Sequence, residues 1–242
     1  MERKHFLKSL LVGAVSAPAL LSACGKDEVT PDTSGATTTG GTTGTTGSGS
    51  CAAAPTETEG PFPTKQPASY VRSDIRDGKA GHLLTANITI TNTNNGCAAL
   101  AGALVDIWHC DAEGNYSEYG GTGMQSTNYQ SVHFLRGRQT TGANGLVTFT
   151  SIFPGWYSGR ATHIHVHVYS ASGQSLKVTQ IAFPEGTGSA VAAVNGYAKG
   201  LTGYTANAQD NVFSDGVSLE LASVTGNTTS GFQLSISLGV PA

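Results

Sequence analysis

Residues 84–90 alternate with a period of two: Leu84, Ala86, Ile88 and Ile90 are apolar, while Thr85, Asn87 and Thr89 are polar. Successive strand side chains point to opposite faces, so this stretch reads as a half-buried strand. Comparable runs at 103–109, 138–141, 146–153, 163–169, 176–183, 217–221 and 232–238 read as further strands. Residues 142–145 turn the chain between 138–141 and 146–153, which predicts a hairpin. Residues 217–221 and 232–238 should pair late in the chain. Only 186–207 suits a short helix. Gly is frequent at 32 residues and just 12% of residues are charged, which favours strands and turns over long helices. The expected fold class is all-β, a β-sandwich of two mostly antiparallel sheets.

The 242 residues divide into three parts. Arg3, Lys4 and Lys8 make a positive start, and residues 10–21 are apolar but too short for a comfortable membrane span. Leu21-Ser22-Ala23-Cys24 resembles a bacterial lipobox, which makes 1–23 a lipoprotein signal peptide and Cys24 the lipidated residue. Arg3-Lys4-His5-Phe6-Leu7-Lys8 also resembles a twin-arginine export motif, with Lys4 in the second arginine's place. Residues 24–54 read as a flexible tether, because their Thr, Gly and Ser run cannot bury enough apolar area to offset chain entropy. Residues 55–242 are the folded domain, long enough for one sizeable core. The expected location is outside the cytoplasm, lipid-anchored to a bacterial cell envelope. Net charge is −3 with no basic run after residue 8, which argues against nucleic acid as a partner.

Export would put the remaining cysteines in a disulfide-permissive compartment. Cys51, Cys97 and Cys110 allow one bridge and one free thiol, in three pairings. Cys97 with Cys110 stands first, since they flank one predicted turn and strand, and Cys51 with either follows closely. No Cys-x-x-Cys spacing points to a thiolate metal site.

The chemistry concentrates in His163-Ile164-His165-Val166-His167-Val168-Tyr169. On a strand, His163 and His165 project from one face while Ile164, Val166 and Val168 enter the core. Two adjacent imidazoles make half of a metal site. Alone the pair is equally a solvated strand face. Upstream, Pro154-Gly155-Trp156-Tyr157-Ser158-Gly159-Arg160 bends the chain, so Tyr157 can return toward the histidines. As bland alternatives, Tyr157 caps a turn and Arg160 is a surface charge. Tyr116 follows the 103–109 strand and is a second candidate or an interfacial aromatic.

Four blocks together resemble the intradiol ring-cleavage dioxygenases, the group of catechol 1,2-dioxygenase and protocatechuate 3,4-dioxygenase, and especially their exported lipoprotein-like members. They are Thr58-Glu59-Gly60-Pro61-Phe62; Val105-Asp106-Ile107-Trp108 with Gly114-Asn115-Tyr116; Arg136-Gly137-Arg138 with Gly145; and the run from Pro154 to Val166. The resemblance implies non-heme Fe(III) held by Tyr116, Tyr157, His163 and His165. It implies a catechol-type substrate and O2, with insertion of O2 giving a muconate-type diacid. Tyr157 would leave the metal on substrate binding and act as general base. Arg160 would stabilise developing charge, and Gln180 would bond substrate or orient Arg160. Only five residues separate Tyr157 from His163, fewer than in the well-known cytoplasmic enzymes, whose longer loop helps shape the substrate pocket.

Hard phenolate oxygens suit a highly charged cation, so this donor set favours Fe(III) over Fe(II). His167 lies about 6.6–7 Å beyond His165 along the strand, too far to share its metal, and reads as a solvated or rim residue. His109 and His133 read as structural or pocket-rim. A cupin-type Fe(II) or Zn(II) site normally wants a Glu soon after His-x-His, where Val168 and Tyr169 stand. The alternative from another class is a non-catalytic β-sandwich lipoprotein that binds a ligand or partner at the cell surface. Such a module has no need for two tyrosines, two histidines, an arginine and a glutamine at these spacings.

Overall fold

A computed structural model describes residues 51–242. The expected signal peptide, the lipidated Cys24 and the tether up to residue 50 lie outside the described residues. Two sheets face each other. The first has strand order β2-β1-β9-β8 with β5 also pairing β1; the second runs β4-β3-β6-β7. The strands are β1 (Leu83–Asn92), β2 (Ala98–Ala99), β3 (Leu104–Trp108), β4 (Arg136–Thr140), β5 (Leu146–Ile152), β6 (His163–Tyr169), β7 (Ser175–Ala182), β8 (Ser223–Asn227) and β9 (Gly231–Val240). All pairs are antiparallel except β1 with β9. The expected all-β sandwich is therefore the observed fold. The one α-helix among the described residues, α1 (Ala190–Val194), falls inside the stretch expected to hold it and is capped by Ser189, whose hydroxyl accepts a hydrogen bond from the amide of Ala192.

Alternation builds the core. Leu84, Ala86, Ile88 and Ile90 of β1 are fully buried and belong to one cluster with Val105 and Ile107 of β3 and Ile164, Val166 and Val168 of β6. Burying each of the Leu, Ile and Val side chains contributes about 1.5–3 kcal/mol. The opposite face of the second sheet carries the polar residues. Register sets Arg136, Trp108, His165 and Gln180 in one row across its four strands, and Arg138, Asp106, His167 and Val178 in the next.

Four expectations are corrected. Residues 138–141 and 146–153 do not form a hairpin: β4 pairs β3 in one sheet and β5 pairs β1 in the other. The turn between them exists, with Gly142 N–H donating to the Leu146 carbonyl, but it carries the chain from sheet to sheet. The Gly145 carbonyl accepts from the Ile90 amide, tying the turn to β1. Residues 217–220 are a bend and turn, Leu221 makes an isolated bridge to Ala182, and β9 pairs instead with β8. Leu219 and Leu221 are 40% and 44% exposed while Glu220 is fully buried, so the apolar alternation points outward. The disulfide joins Cys51 to Cys97, not Cys97 to Cys110, and Cys110 is a buried free thiol. Residues 51–54, grouped with the tether from sequence, join the fold through that bridge and through the buried Ala54, whose amide donates to the Gly239 carbonyl.

Candidate metal centre and active site

β6 presents His163 and His165 on the polar face of its sheet, as its period requires. Their Nε2 atoms lie 3.1 Å apart. The Tyr116 hydroxyl comes from the loop after β3 and sits 3.1 Å from His163 Nε2 and 3.3 Å from His165 Nε2. Tyr116 is held by its own backbone: its amide donates to Gln125 Oε1, and Gln125 Nε2 donates back to its carbonyl. Gly114 makes the approach possible, since its φ is +89° and a Cβ there would lie 2.3 Å from the Trp156 carbonyl oxygen.

The three donor atoms suit one cation. His163 Nδ1 is 2.6 Å from the Ala161 carbonyl and donates its proton there, which leaves the Nε2 lone pair facing the cluster. Burial pushes His163 down to about 3, with the Arg160 charge adding to it, and holds His165 well below the usual histidine range, with His163 as the next cause. Both shifts favour the neutral rings that a metal requires. Burial holds the Tyr116 phenol well above its ordinary range. His165 is stacked face to face on Trp108, with centroids 4.8 Å apart and planes 1° apart. Its Nδ1 is buried without a protein partner among the described residues.

Tyr157 does not join the three. Its hydroxyl donates to the Met124 carbonyl at 3.0 Å, and its ring stands edge-on to Phe62. It lines a cavity of about 340 Å³ that also touches Tyr116, His163 and His165. Burial raises its phenol above the ordinary range. Arg160 borders the same cavity; its Nη2 donates to Gln180 Oε1 at 2.6 Å, and Gln180 Nε2 donates to the Thr58 carbonyl at 2.8 Å. Gln180 is fully buried behind Arg160, which suits orienting that arginine rather than touching a ligand.

Residues 58–62 run across the cluster as a strap. Gly60, at φ +68°, presses on His165, and a Cβ there would sit 3.2 Å from His165 Cε1. Phe62 stacks on Tyr116 with centroids 4.8 Å apart. Arg136 is fully buried and ties the strap to the Tyr116 loop: Nη1 donates to the Phe62 carbonyl and Nη2 to the Ser117 carbonyl. Burial lowers Arg136 to about 10.

Three further histidines, His167, His109 and His133, make their hydrogen bonds away from the donor cluster. His167, expected to be solvated or at a rim, is 8% exposed and lies between Glu59 Oε1 at 2.9 Å and Ser175 Oγ at 2.7 Å. His109 is buried against Ser151 and the Cys110 carbonyl, and burial lowers it to about 4. His133 bonds Tyr70 and Glu118. Sequence reasoning missed Asp210, Asn211 and Val212. Asp210 bonds Arg160, and the other two line the cavity. They stand more than 40 residues from His163 in a segment without a motif, so only the folded chain reveals them.

The family model described as Dioxygenase matches residues 59–221. Catechol 1,2-dioxygenase 1 of Acinetobacter lwoffii is 32% identical over 121 residues, covering 43% of this chain and 37% of that enzyme. Chlorocatechol 1,2-dioxygenase of Rhodococcus opacus is 26% identical over 142 residues, covering 51% of each. The match thus spans about half or less of these curated relatives' length. The intradiol ring-cleavage dioxygenase from Tetranychus urticae is similar in structure, with a TM-score of 0.69, 27% identity, and coverage of 79% of this chain and 96% of that one.

This chain belongs to the intradiol ring-cleavage dioxygenase family. The matched region holds the strap from Glu59 onward, the Tyr116 loop, β6 and the arginine–glutamine pair. The family typically uses non-heme Fe(III). Two imidazole nitrogens and a phenol oxygen in one buried cluster are compatible with that ion.

Proposed function

We propose that this chain is a non-heme ferric intradiol dioxygenase that inserts O2 into a catechol-type ring and yields a muconate-type diacid. The observation that carries this reading is the meeting of the Tyr116 hydroxyl with two neutral histidine nitrogens, all within 3.3 Å, beside an open cavity. Tyr116, His163 and His165 would hold the iron, with Tyr157 as the fourth candidate. When bound, ferric iron would supply the Lewis acidity that draws electron density from a diol ring and readies it for O2.

The chain's own residues do the rest. The Ala161 carbonyl fixes the His163 tautomer. Phe62 and Pro61 give the cavity apolar walls that exclude water from a flat aromatic ring. Tyr157 lies on the cavity wall, away from the other three donors, which leaves their cavity side open to a diol. As a phenolate, the form it would take as an iron ligand, its oxygen could accept a diol proton as general base. Arg160 uses Nε and Nη2 on Asp210 and Gln180, which leaves Nη1 to donate a hydrogen bond toward a substrate oxygen.

A visible absorption spectrum of the ferric-loaded protein, before and after catechol under nitrogen, tests the reading. A broad tyrosinate band that moves to longer wavelength with catechol is expected, followed by diacid formation when O2 is admitted. A protein that stays colourless after ferric loading removes it.

We also propose export and lipid anchoring to a bacterial cell envelope through Cys24. The positive start, apolar run and small residues before Cys24 support it, and a Cys51–Cys97 disulfide suits an oxidising compartment. Replacing Cys24 with Ala should move the protein from the membrane to the soluble fraction; unchanged membrane association would count against the anchor.

A further inference from the structure

One wall of the cavity is built by a segment that no motif marks. Asp210 is 1% exposed, and its carboxylate accepts four bonds. Arg160 Nε donates to both oxygens at 2.9 and 2.8 Å, the Ala161 amide donates to Oδ2 at 2.8 Å, and the Val212 amide donates to Oδ1 at 3.0 Å. One buried carboxylate thus clamps Arg160, secures the residue whose carbonyl holds His163, and turns Asn211 and Val212 toward the cavity.

The clamp also decides the charge a ligand meets. Arg160 is the one cation among the described residues that line the cavity. Asp210 opposes that charge at 2.8 Å. Further carboxylates stand nearby: Glu57 is pushed up to about 7, first by burial and then by Glu220 and Asp215, with Asp210 adding to it and Arg160 opposing. The remaining wall is neutral or apolar, with Pro61, Phe62, Asn211 and Val212 prominent. A carboxylate on the substrate ring would lose water here and find no uncompensated cation, which is costly. A neutral substituent meets no such penalty, and about 340 Å³ leaves space beyond the ring itself.

We infer that Asp210 is a positioning residue that also sets substrate charge: by compensating Arg160 it makes the site take uncharged catechols and reject catechols that carry a ring carboxylate. This rests on the dioxygenase reading. Val212 and Asn211 then form the surface that a neutral ring substituent meets.

The test is anaerobic spectral titration of the ferric-loaded full chain with catechol, 4-methylcatechol and 3,4-dihydroxybenzoate. The two neutral diols should bind at least about 30-fold more tightly than the carboxylate, as expected when a charged group is left unpaired against neutral walls. Asp210→Asn uncovers the Arg160 charge and should narrow that ratio by about 10-fold, and Asp210→Glu should restore it. Val212→Arg adds a cation with Asp210 intact and should narrow the ratio as well, so the inference stays testable if Asp210→Asn fails to fold. A merely structural role would weaken all three ligands alike and leave the ratio unmoved, which overturns the inference. Equal affinity for catechol and the carboxylate in the unaltered protein overturns it too, while the dioxygenase reading stands. Absence of binding by every diol removes both.

Discussion

The phenol oxygen of Tyr116 lies 3.1 Å from Nε2 of His163, although 47 positions separate the two residues. A loop and a strand from different parts of the chain thus bring an oxygen and a nitrogen donor to one point, with His165 as the third member. If that point holds iron, His163→Ala should lower metal affinity by more than about 100-fold, since losing even a supporting residue costs 10–100-fold. Metal content after dialysis against a chelator measures it, with circular dichroism to verify the fold. Full iron retention would sink the metal-centre model.

Tyr157→Phe removes one hydrogen bond, to the Met124 carbonyl, and leaves the ring packing against Phe62. The fold should persist with a stability change of about 0.5–1.5 kcal/mol. Diol turnover should fall by about 10²–10⁴-fold if its oxygen serves as general base. A rate and visible spectrum equal to those of the unaltered enzyme would remove Tyr157 from the site.

Gly60→Ala places a methyl group 3.2 Å from His165 Cε1 on a residue with φ +68°. The left-handed conformation costs about 1–2 kcal/mol in a residue with a Cβ, equivalent to about 2–8 °C in Tm for a domain of this size. His165 must also shift, so metal affinity should drop together with Tm. An unchanged Tm and unchanged affinity would show that the strap does not press on the histidine.

Glu57 has a folded-state value near 7, above its ordinary 4.5. A raised carboxyl contributes stability that is fully present below about pH 4.5 and is lost as pH rises toward 7. Glu57→Gln should therefore raise Tm relative to the unaltered protein at pH 8 and leave little difference at pH 4. Calorimetry across that range measures it, and parallel Tm curves at all pH values would refute the assignment.

Cys97→Ala opens the bridge to Cys51, which closes a loop with a sequence separation of 46. Loss of about 2–4 kcal/mol is expected, because the unfolded chain regains freedom. Denaturant unfolding with and without a reductant measures it. The unaltered protein should fall to the level of the variant when reduced.

Local pattern carried much of this protein into view. β1 and β9 lie where alternation placed them, and the helix at Ala190–Val194 falls inside the stretch read for it. The alternation failed at 217–221, where Leu219 and Leu221 face outward and Glu220 is buried by bonding Thr179. It also missed that β4 and β5 part company. Both errors concern partners: a strand's period says which residues share a face and not which sheet receives it.

The site divides in the same way. His163 and His165 were legible as one face of one strand, because the two-residue repeat is a property of the local backbone. Proline and glycine beside Tyr157 marked a bend, yet the direction in which its hydroxyl points was set by Met124, 33 positions away. Sequence by itself determined an all-β chain with a pair of neighbouring imidazoles, and its motifs marked the family. The folded chain alone decided that Tyr157 turns aside from Tyr116 and the imidazoles, that Cys51 rather than Cys110 pairs with Cys97, and that Asp210 clamps Arg160. Each of these depends on contacts between distant segments, and their energies come from burial and hydrogen bonding that exist only once the two sheets have packed.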